Sequence, residues 1–94
     1  MVMHVSHVKD KKMKVLRFTA SESWCQPCEM LAKTLEDVET QIPIEVIDID
    51  ENQQLAVDYG IRGVPTLVML DGDIEVKRFS GMKMKNELTE WLGA

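Results

Sequence analysis

The spacing of apolar and polar residues changes from segment to segment along this chain. Positions 13–20 are rich in β-branched and apolar residues, which predicts a strand. After a polar loop at 21–23, apolar residues recur at helical spacing from Trp24 or Cys25 to about Thr40, and charged side chains occupy the opposite face. That charged face predicts a solvated helix surface rather than an acid–base site. The apolar stripe consists of Met30 or Leu31, Leu35, Val38 and Ile42.

The second half of the chain contains shorter segments. A nearly continuous apolar run at 44–49 predicts a strand, and Asp50 is the predicted N-cap of a short helix over 51–58 that Gly60 ends. Two further apolar runs, at 67–70 and 74–79, flank an Asp-Gly turn and predict a hairpin in which Ile74 and Val76 share a face. A last amphipathic helix is marked by Met84, Leu88, Trp91 and Leu92.

This order of elements predicts an α/β fold in a single domain spanning residues 1–94. A strand, a helix and a second strand in succession favour parallel pairing, whereas the later hairpin adds antiparallel strands. The sheet should therefore be mixed, with helices on both faces in a three-layer α/β/α arrangement. Residues 1–12 have no clear period, and a short edge strand around residues 2–8 is the most that their valines indicate.

Composition narrows the possible functions. Eleven Lys and Arg residues against sixteen Asp and Glu residues give a net charge of -5, which argues against nonspecific nucleic-acid binding. No apolar run has the length of a membrane span, and the N-terminus lacks the apolar region of a signal peptide. We therefore expect a cytoplasmic protein that binds neither nucleic acid nor membranes.

The only two cysteines, Cys25 and Cys28, lie three positions apart at the predicted junction between strand and helix. The start of a helix favours negative charge, so we expect the pKa of the Cys25 thiol to be lowered. Cys25 is then the nucleophile that attacks a disulfide, and Cys28 resolves the mixed disulfide. The same spacing also occurs in zinc sites, so a site formed by these cysteines with His4 and His7 is the alternative.

Two separated motifs resemble the thioredoxin family: Trp24-Cys25-Gln26-Pro27-Cys28 with the preceding Phe18-Thr19-Ala20-Ser21, and Tyr59-Gly60-Ile61-Arg62-Gly63-Val64-Pro65-Thr66. The resemblance covers roughly residues 13–92. It implies a thioredoxin fold whose first strand–helix unit is shortened or missing, because residues 1–12 are too few to form it.

The resemblance also implies the residues of a substrate site. Pro65 is expected to be cis and to lie against the disulfide, and the Val64 backbone is expected to pair with the substrate chain. These two residues would form a shallow apolar groove with others that contact substrate. The implied substrate-binding set is Trp24, Gln26, Pro27, Val64, Pro65, Gly81 and Met82.

Three positions near the motif depart from the family pattern. Arg17 stands where the family has a buried aspartate, and Val46 stands where it has a lysine. We therefore expect water to take the proton from Cys28, with Glu22 as the alternative. Glu29 follows the second cysteine in place of a common lysine, and its charge should oppose thiolate formation.

The predicted function is reduction of protein disulfides by dithiol–disulfide exchange. It needs no cofactor beyond the Cys25–Cys28 disulfide and no metal. The implied partners are protein disulfides and a thioredoxin-reductase-like or other thiol reductant, and the protein is expected to be a monomer. Two alternatives share the fold: a protein-binding module whose redox activity is incidental, and a glutaredoxin-like enzyme that uses glutathione.

Overall fold

Alternating strands and helices make up the part of the chain that the computed structural model describes, residues 12–20 and 24–93. The edge strand predicted near the N-terminus and the loop at 21–23 lie outside these residues. The elements are β1 (Met13–Thr19), α1 (Gln26–Glu36), β2 (Ile44–Asp48), α2 (Gln53–Asp58), β3 (Thr66–Asp71), β4 (Ile74–Ser80) and α3 (Lys85–Trp91).

The described strands form one mixed sheet in the order β2-β1-β3-β4. β1 pairs with β2 in parallel, as the strand–helix–strand order predicts, and β3 is antiparallel to both β1 and β4. This arrangement confirms the predicted α/β class. The carboxyl end of β1 and the amino end of β3 also lie at the same end of the sheet, since Phe18 pairs with Thr66.

Apolar side chains cover both faces of the sheet, which confirms the three-layer prediction. Residues of α1 and α3 pack on one face, and residues of α2 with the loop that follows it pack on the other. The first cluster is built on Val15, Leu31, Leu67, Met69, Leu88 and Leu92. The second is built on Leu16, Phe18, Ile47, Val68 and Leu70.

Helix α1 ends at Glu36, four residues before the predicted end at Thr40. The amides of Asp37 and Val38 each donate to the carbonyl three residues earlier, at 3.1 Å, so the last turn tightens and the helix stops. Val38 and Ile42 still pack against the core. These two residues are packed on the core although they lie after the helix. Their spacing therefore led to a predicted helix that was too long.

The predicted N-cap of α2 is wrong. The amide of Asp50 donates to Oδ1 of Asp48 at 2.8 Å, which forms a turn after β2, and the helix begins at Gln53 with Asn52 as its cap residue. The predicted end is confirmed. Gly60 adopts a φ of 65°, and its amide and that of Ile61 close the helix on carbonyls of the last turn.

The alternation that predicted a common face for Ile74 and Val76 does not continue through β4. The register of β3 and β4 shifts between Met69 and Leu70, which leaves Val76 as an extra residue opposite no partner. Both Ile74 and Val76 are exposed. A bulge interrupts the two-residue alternation from which their common face was inferred.

Candidate redox site

The two cysteines form a disulfide at the start of α1. Their Sγ atoms are bonded, and Cys25 is the N-cap residue of the helix. The Cys28 amide donates to Cys25 Sγ at 3.2 Å, so this sulfur occupies the position that a serine or aspartate oxygen commonly takes at a helix start. Pro27 lies in the first turn, where its missing N–H removes no helical hydrogen bond.

The loop before β3 lies beside the disulfide. The Val64–Pro65 peptide bond is cis, and the Val64 carbonyl oxygen lies 4.0 Å from Cys25 Sγ. β3 begins at Thr66, so the Gly63–Val64 backbone is outside the sheet ladder. Next to the disulfide, this short segment pairs with no strand of the described residues.

A side-chain hydroxyl holds this loop in place. Thr66 is 1% exposed, and its Oγ1 donates to the Gly63 carbonyl at 2.7 Å. The same oxygen lies 2.8 Å from Ser80 Oγ at the end of β4. The next residue along the chain, Gly81, donates its amide to the Pro65 carbonyl at 2.9 Å. The loop is therefore tied to the end of β4.

A groove of about 460 Å³ opens next to the disulfide. Cys25 lines it and is 4% exposed, whereas Cys28 is not among the lining residues and is 1% exposed. Its walls combine the start of α1, the loop before β3, the end of β2 and one face of α2. The lining residues are Trp24, Cys25, Pro27, Ile49, Ala56, Ile61, Arg62, Gly63 and Val64.

The structure brings most of the predicted site residues together. Trp24 is 60% exposed and lines the groove with Pro27 and Val64, and the buried Pro65 follows directly. Gln26 is exposed on the first turn of α1 but does not line the groove. Gly81 and Met82 do not line it either. Gly81 contacts Pro65 through the backbone, and Met82, which is 38% exposed, follows it.

Five lining residues were absent from the predicted set. Three of them directly precede Val64, so adjacency to the second motif was a usable signal. Ile49 and Ala56 reach the groove only through the placement of β2 and α2, and no local pattern indicates them. The five are Ile49, Ala56, Ile61, Arg62 and Gly63.

The charges near the motif are partly balanced. Lys33 Nζ lies 3.6 Å from the Glu29 carboxylate, one helical turn away, which offsets the negative charge after the second cysteine. Arg17 pairs in register with Val46, so the two positions that depart from the family pattern are neighbours across β1 and β2. Glu22, the alternative proton acceptor, lies outside the described residues.

The zinc alternative finds no support in the described part of the chain. Cys25 and Cys28 are joined in a disulfide, and His4 and His7 lie outside the described residues. Within residues 12–20 and 24–93, no three His, Cys, Asp or Glu side chains converge as metal ligands would. No helix of this part combines the length and apolar character that a membrane span requires.

Comparison with known proteins identifies the family. The Thioredoxin family profile matches residues 3–94. Thioredoxin of Bacillus subtilis is 42% identical over 72 residues, which cover 71% of this chain and 68% of the relative. Thioredoxin of Rhodospirillum rubrum is 37% identical over 76 residues, which cover 76% of this chain and 72% of that protein.

Solved structures give the same result. A mutant thioredoxin from Halobacterium salinarum superposes with a TM-score of 0.78 at 36% identity, covering 90% of this chain and 75% of that one. Fasciola hepatica thioredoxin has a TM-score of 0.77 at 27% identity and covers 95% and 86% of the two chains. A family profile over nearly the whole sequence, similar relatives and a shared fold agree: this chain belongs to the thioredoxin family.

Proposed function

We propose that this protein reduces protein disulfides by dithiol–disulfide exchange, with Cys25 as the nucleophile and Cys28 as the resolving thiol. The observation that carries the proposal is the position of the two sulfurs. Cys25 lines the groove beside backbone outside the sheet ladder, whereas Cys28 is buried and does not line it. A substrate in the groove therefore meets Cys25 first. Membership in a family of thiol–disulfide oxidoreductases supports the same assignment.

The reaction proceeds in two exchanges. The Cys25 thiolate attacks one sulfur of the substrate disulfide, forming a mixed disulfide and releasing the other sulfur as a thiolate, which takes up a proton. Cys28 then loses its proton to water and attacks Cys25 Sγ, which breaks the mixed disulfide and releases the second substrate thiol. The substrate gains two electrons and two protons, and the protein becomes the Cys25–Cys28 disulfide.

Features of the site favour each step. The positive end of α1 favours negative charge on Cys25, and the Cys28 amide already donates to that sulfur. The Val64 amide and carbonyl lie outside the ladder of the described sheet and offer hydrogen bonds to an extended substrate segment, as in strand addition to a sheet edge. Trp24 provides a flat apolar contact at the rim of the groove.

Turnover requires a reductant that returns two electrons to the disulfide. A thioredoxin-reductase-like protein or a small dithiol meets this requirement by the same exchange in reverse. Dithiothreitol therefore serves as the reductant in the test.

The test measures insulin reduction by the protein with dithiothreitol in excess. The wild-type protein should accelerate the reaction well above dithiothreitol alone, and Cys25→Ser should return the rate to that background. Cys28→Ser should accumulate mixed disulfides with insulin through Cys25, visible on a non-reducing gel. No acceleration by the wild type and no trapped adduct in Cys28→Ser would refute the proposal.

The same variants address the two alternatives. A binding module would retain its partner complexes in Cys25→Ser, whereas the proposed oxidoreductase loses its activity. A glutaredoxin-like enzyme would use glutathione as reductant at least as well as dithiothreitol. We expect glutathione to support little insulin reduction, because the paired thiols of dithiothreitol resolve the mixed disulfide intramolecularly and glutathione cannot.

A further inference from the structure

One charged side chain lines the groove beside the redox disulfide. Arg62 is exposed there, and the other eight lining residues are uncharged. It stands two positions before Val64, in the segment that follows the Gly60 turn. A substrate segment that pairs with the Gly63–Val64 backbone, as proposed above, therefore passes directly beside this guanidinium.

The guanidinium of Arg62 is available for an external partner. Within residues 12–20 and 24–93 it has no hydrogen bond or ion pair. Two other cations of the chain are held by carboxylates: Arg78 by Glu75 at 2.6 Å, and Lys14 by Glu45 at 2.8 Å. Since no carboxylate of the described residues binds this arginine, its guanidinium donors can be directed at a carboxylate of the substrate.

The net charge of the chain does not oppose this role. The whole protein carries -5, but exposed charges are screened over about 8 Å at physiological ionic strength. Arg62 is the charged residue among the described residues that line the groove, so its charge acts on a bound segment at close range. A carboxylate held against apolar walls also forms a stronger charge-assisted hydrogen bond than one in open water.

We infer that Arg62 gives the groove a preference for disulfides flanked by an acidic residue. The inference rests on the proposed function, since it concerns the substrates of that reaction. Along an extended segment, side chains two positions apart point the same way. The acidic side chain should therefore lie two residues from the reacting cysteine, level with Arg62 while the cysteine is level with Val64.

The test uses short blocked peptides whose single cysteine forms a disulfide with neutral 2-thiopyridine. Glu, Gln or Lys is placed two residues before the cysteine in one series and two residues after it in the other, which covers both directions of strand pairing. Released thiopyridone gives the second-order rate constant of the reduced protein for each peptide. The measured quantity is the ratio of the Glu rate to the Gln rate.

In one of the two series the wild-type protein should favour Glu over Gln by about three- to fivefold, the range of an exposed charge pair worth up to about 1 kcal/mol. Arg62→Gln should bring the ratio close to that of the free reference thiol dithiothreitol, Arg62→Glu should favour the Lys peptide, and Arg62→Lys should restore part of the preference. Lys85→Gln, which removes a cation away from the groove, should leave the ratio unchanged.

Two outcomes separate the failure of this inference from that of the proposed function. A wild-type protein that reduces all peptides with the same Glu-to-Gln ratio as dithiothreitol retains the proposed function but refutes acidic selection. Equal slowing of every peptide in Arg62→Gln also refutes it, because Arg62 would then act on the cysteine and not on the substrate. Only a protein that reduces no peptide contradicts the proposed function itself.

Discussion

At the scale of single residues, the loop beside the disulfide depends on one buried hydroxyl. Thr66 Oγ1 contacts both the Gly63 carbonyl and Ser80 Oγ, and it is buried among apolar neighbours. Removing that hydroxyl takes a partner away from the Gly63 carbonyl and from Ser80 Oγ. Both belong to exposed residues, so water can take over part of the lost hydrogen bonding.

Thr66→Val keeps the shape of the side chain and removes only its hydrogen bonds. We expect a loss of about 0.5–1.5 kcal/mol in the free energy of unfolding, measured by urea denaturation. The rate of insulin reduction should fall too, because the Gly63–Val64 backbone loses its anchor. The control is Thr89→Val, whose hydroxyl donates to the Lys85 carbonyl on an exposed helix. A loss equal to that of the control would show that the Thr66 hydroxyl does not hold the loop.

Sequence alone predicted the residues of the site that occur in local motifs. Cys25 and Cys28 are recognisable from their spacing, and Val64 and Pro65 from the second motif. Ile49 and Ala56 were not predictable, because they approach the disulfide only after β2 and α2 have packed on the sheet. Arg62 belongs to the second motif, but the sequence does not show its importance. That depends on which other charged side chains reach the groove, which only the tertiary structure decides.

At the scale of elements, helix ends were harder to predict than helices. The sequence has no Ser, Thr or Asp at the start of α3 that could cap the helix with its side chain. A side chain inside the helix instead accepts a hydrogen bond from the backbone of the cap residue. The Met84 amide donates to the Glu87 carboxylate at 3.0 Å, which is one half of a capping box. For the other half, the Met84 side chain offers the Glu87 amide only a thioether sulfur, which is a weak acceptor.

Met84→Ser should complete this cap. Met84 is 71% exposed and has extended backbone angles, so serine can replace it without loss of packing. We expect the free energy of unfolding to rise by about 0.5–1 kcal/mol in urea denaturation. The matched control is Met30→Ser, an exposed methionine inside α1, where serine should be slightly destabilising. Equal effects of the two substitutions would contradict the capping interpretation.

Other element boundaries were predicted wrongly because they depend on interactions that the sequence alone does not show. Asp50 is a favourable cap residue, but the Asp48 side chain bonds its amide and forms a turn first. Competition between neighbouring acceptors for the same amide decides where a helix begins, and both candidates have similar chemistry. The bulge at Val76 was also not predictable from local sequence. Only the pairing of β4 with β3 shows that β4 has an extra residue there.

At the scale of the whole molecule, one arginine joins two layers. Arg78 on β4 forms two hydrogen bonds with Glu75, and its Nη2 also donates to the Tyr59 carbonyl at the end of α2, at 2.8 Å. The Tyr59 ring in turn packs against Phe18 of β1, with ring centroids 5.6 Å apart. This network links the edge strand β4 to α2, the helix whose Ala56 lines the groove.

The network should make stability depend on pH. The Arg78 hydrogen bond holds the pKa of Glu75 below its ordinary value of 4.5. A carboxyl whose folded-state pKa is depressed binds fewer protons when folded, so its contribution is complete above pH 4.5 and is lost as pH falls through the folded-state value. Glu75→Gln should therefore be less stable than the wild type at neutral pH, and the difference should narrow in acid.

Urea denaturation at several pH values down to about pH 3, below the ordinary carboxyl range, measures this difference. Glu90→Gln is the control, since Glu90 is an exposed carboxylate with no ion pair to any residue of the described chain. A constant difference between Glu75→Gln and the wild type across this range would exclude a role for Glu75 ionisation.

Cys25 Sγ caps α1 as well as forming the disulfide. Reduction by two electrons converts this neutral sulfur into a thiolate, which is a stronger acceptor for the Cys28 amide and a better match for the positive end of the helix. The state of the helix start and the redox state are thus thermodynamically linked, and linkage is reciprocal. A partner that orders the first turn of α1 would raise the reduction potential of the cysteine pair and favour the dithiol. A partner that opens the turn would lower this potential and favour the disulfide.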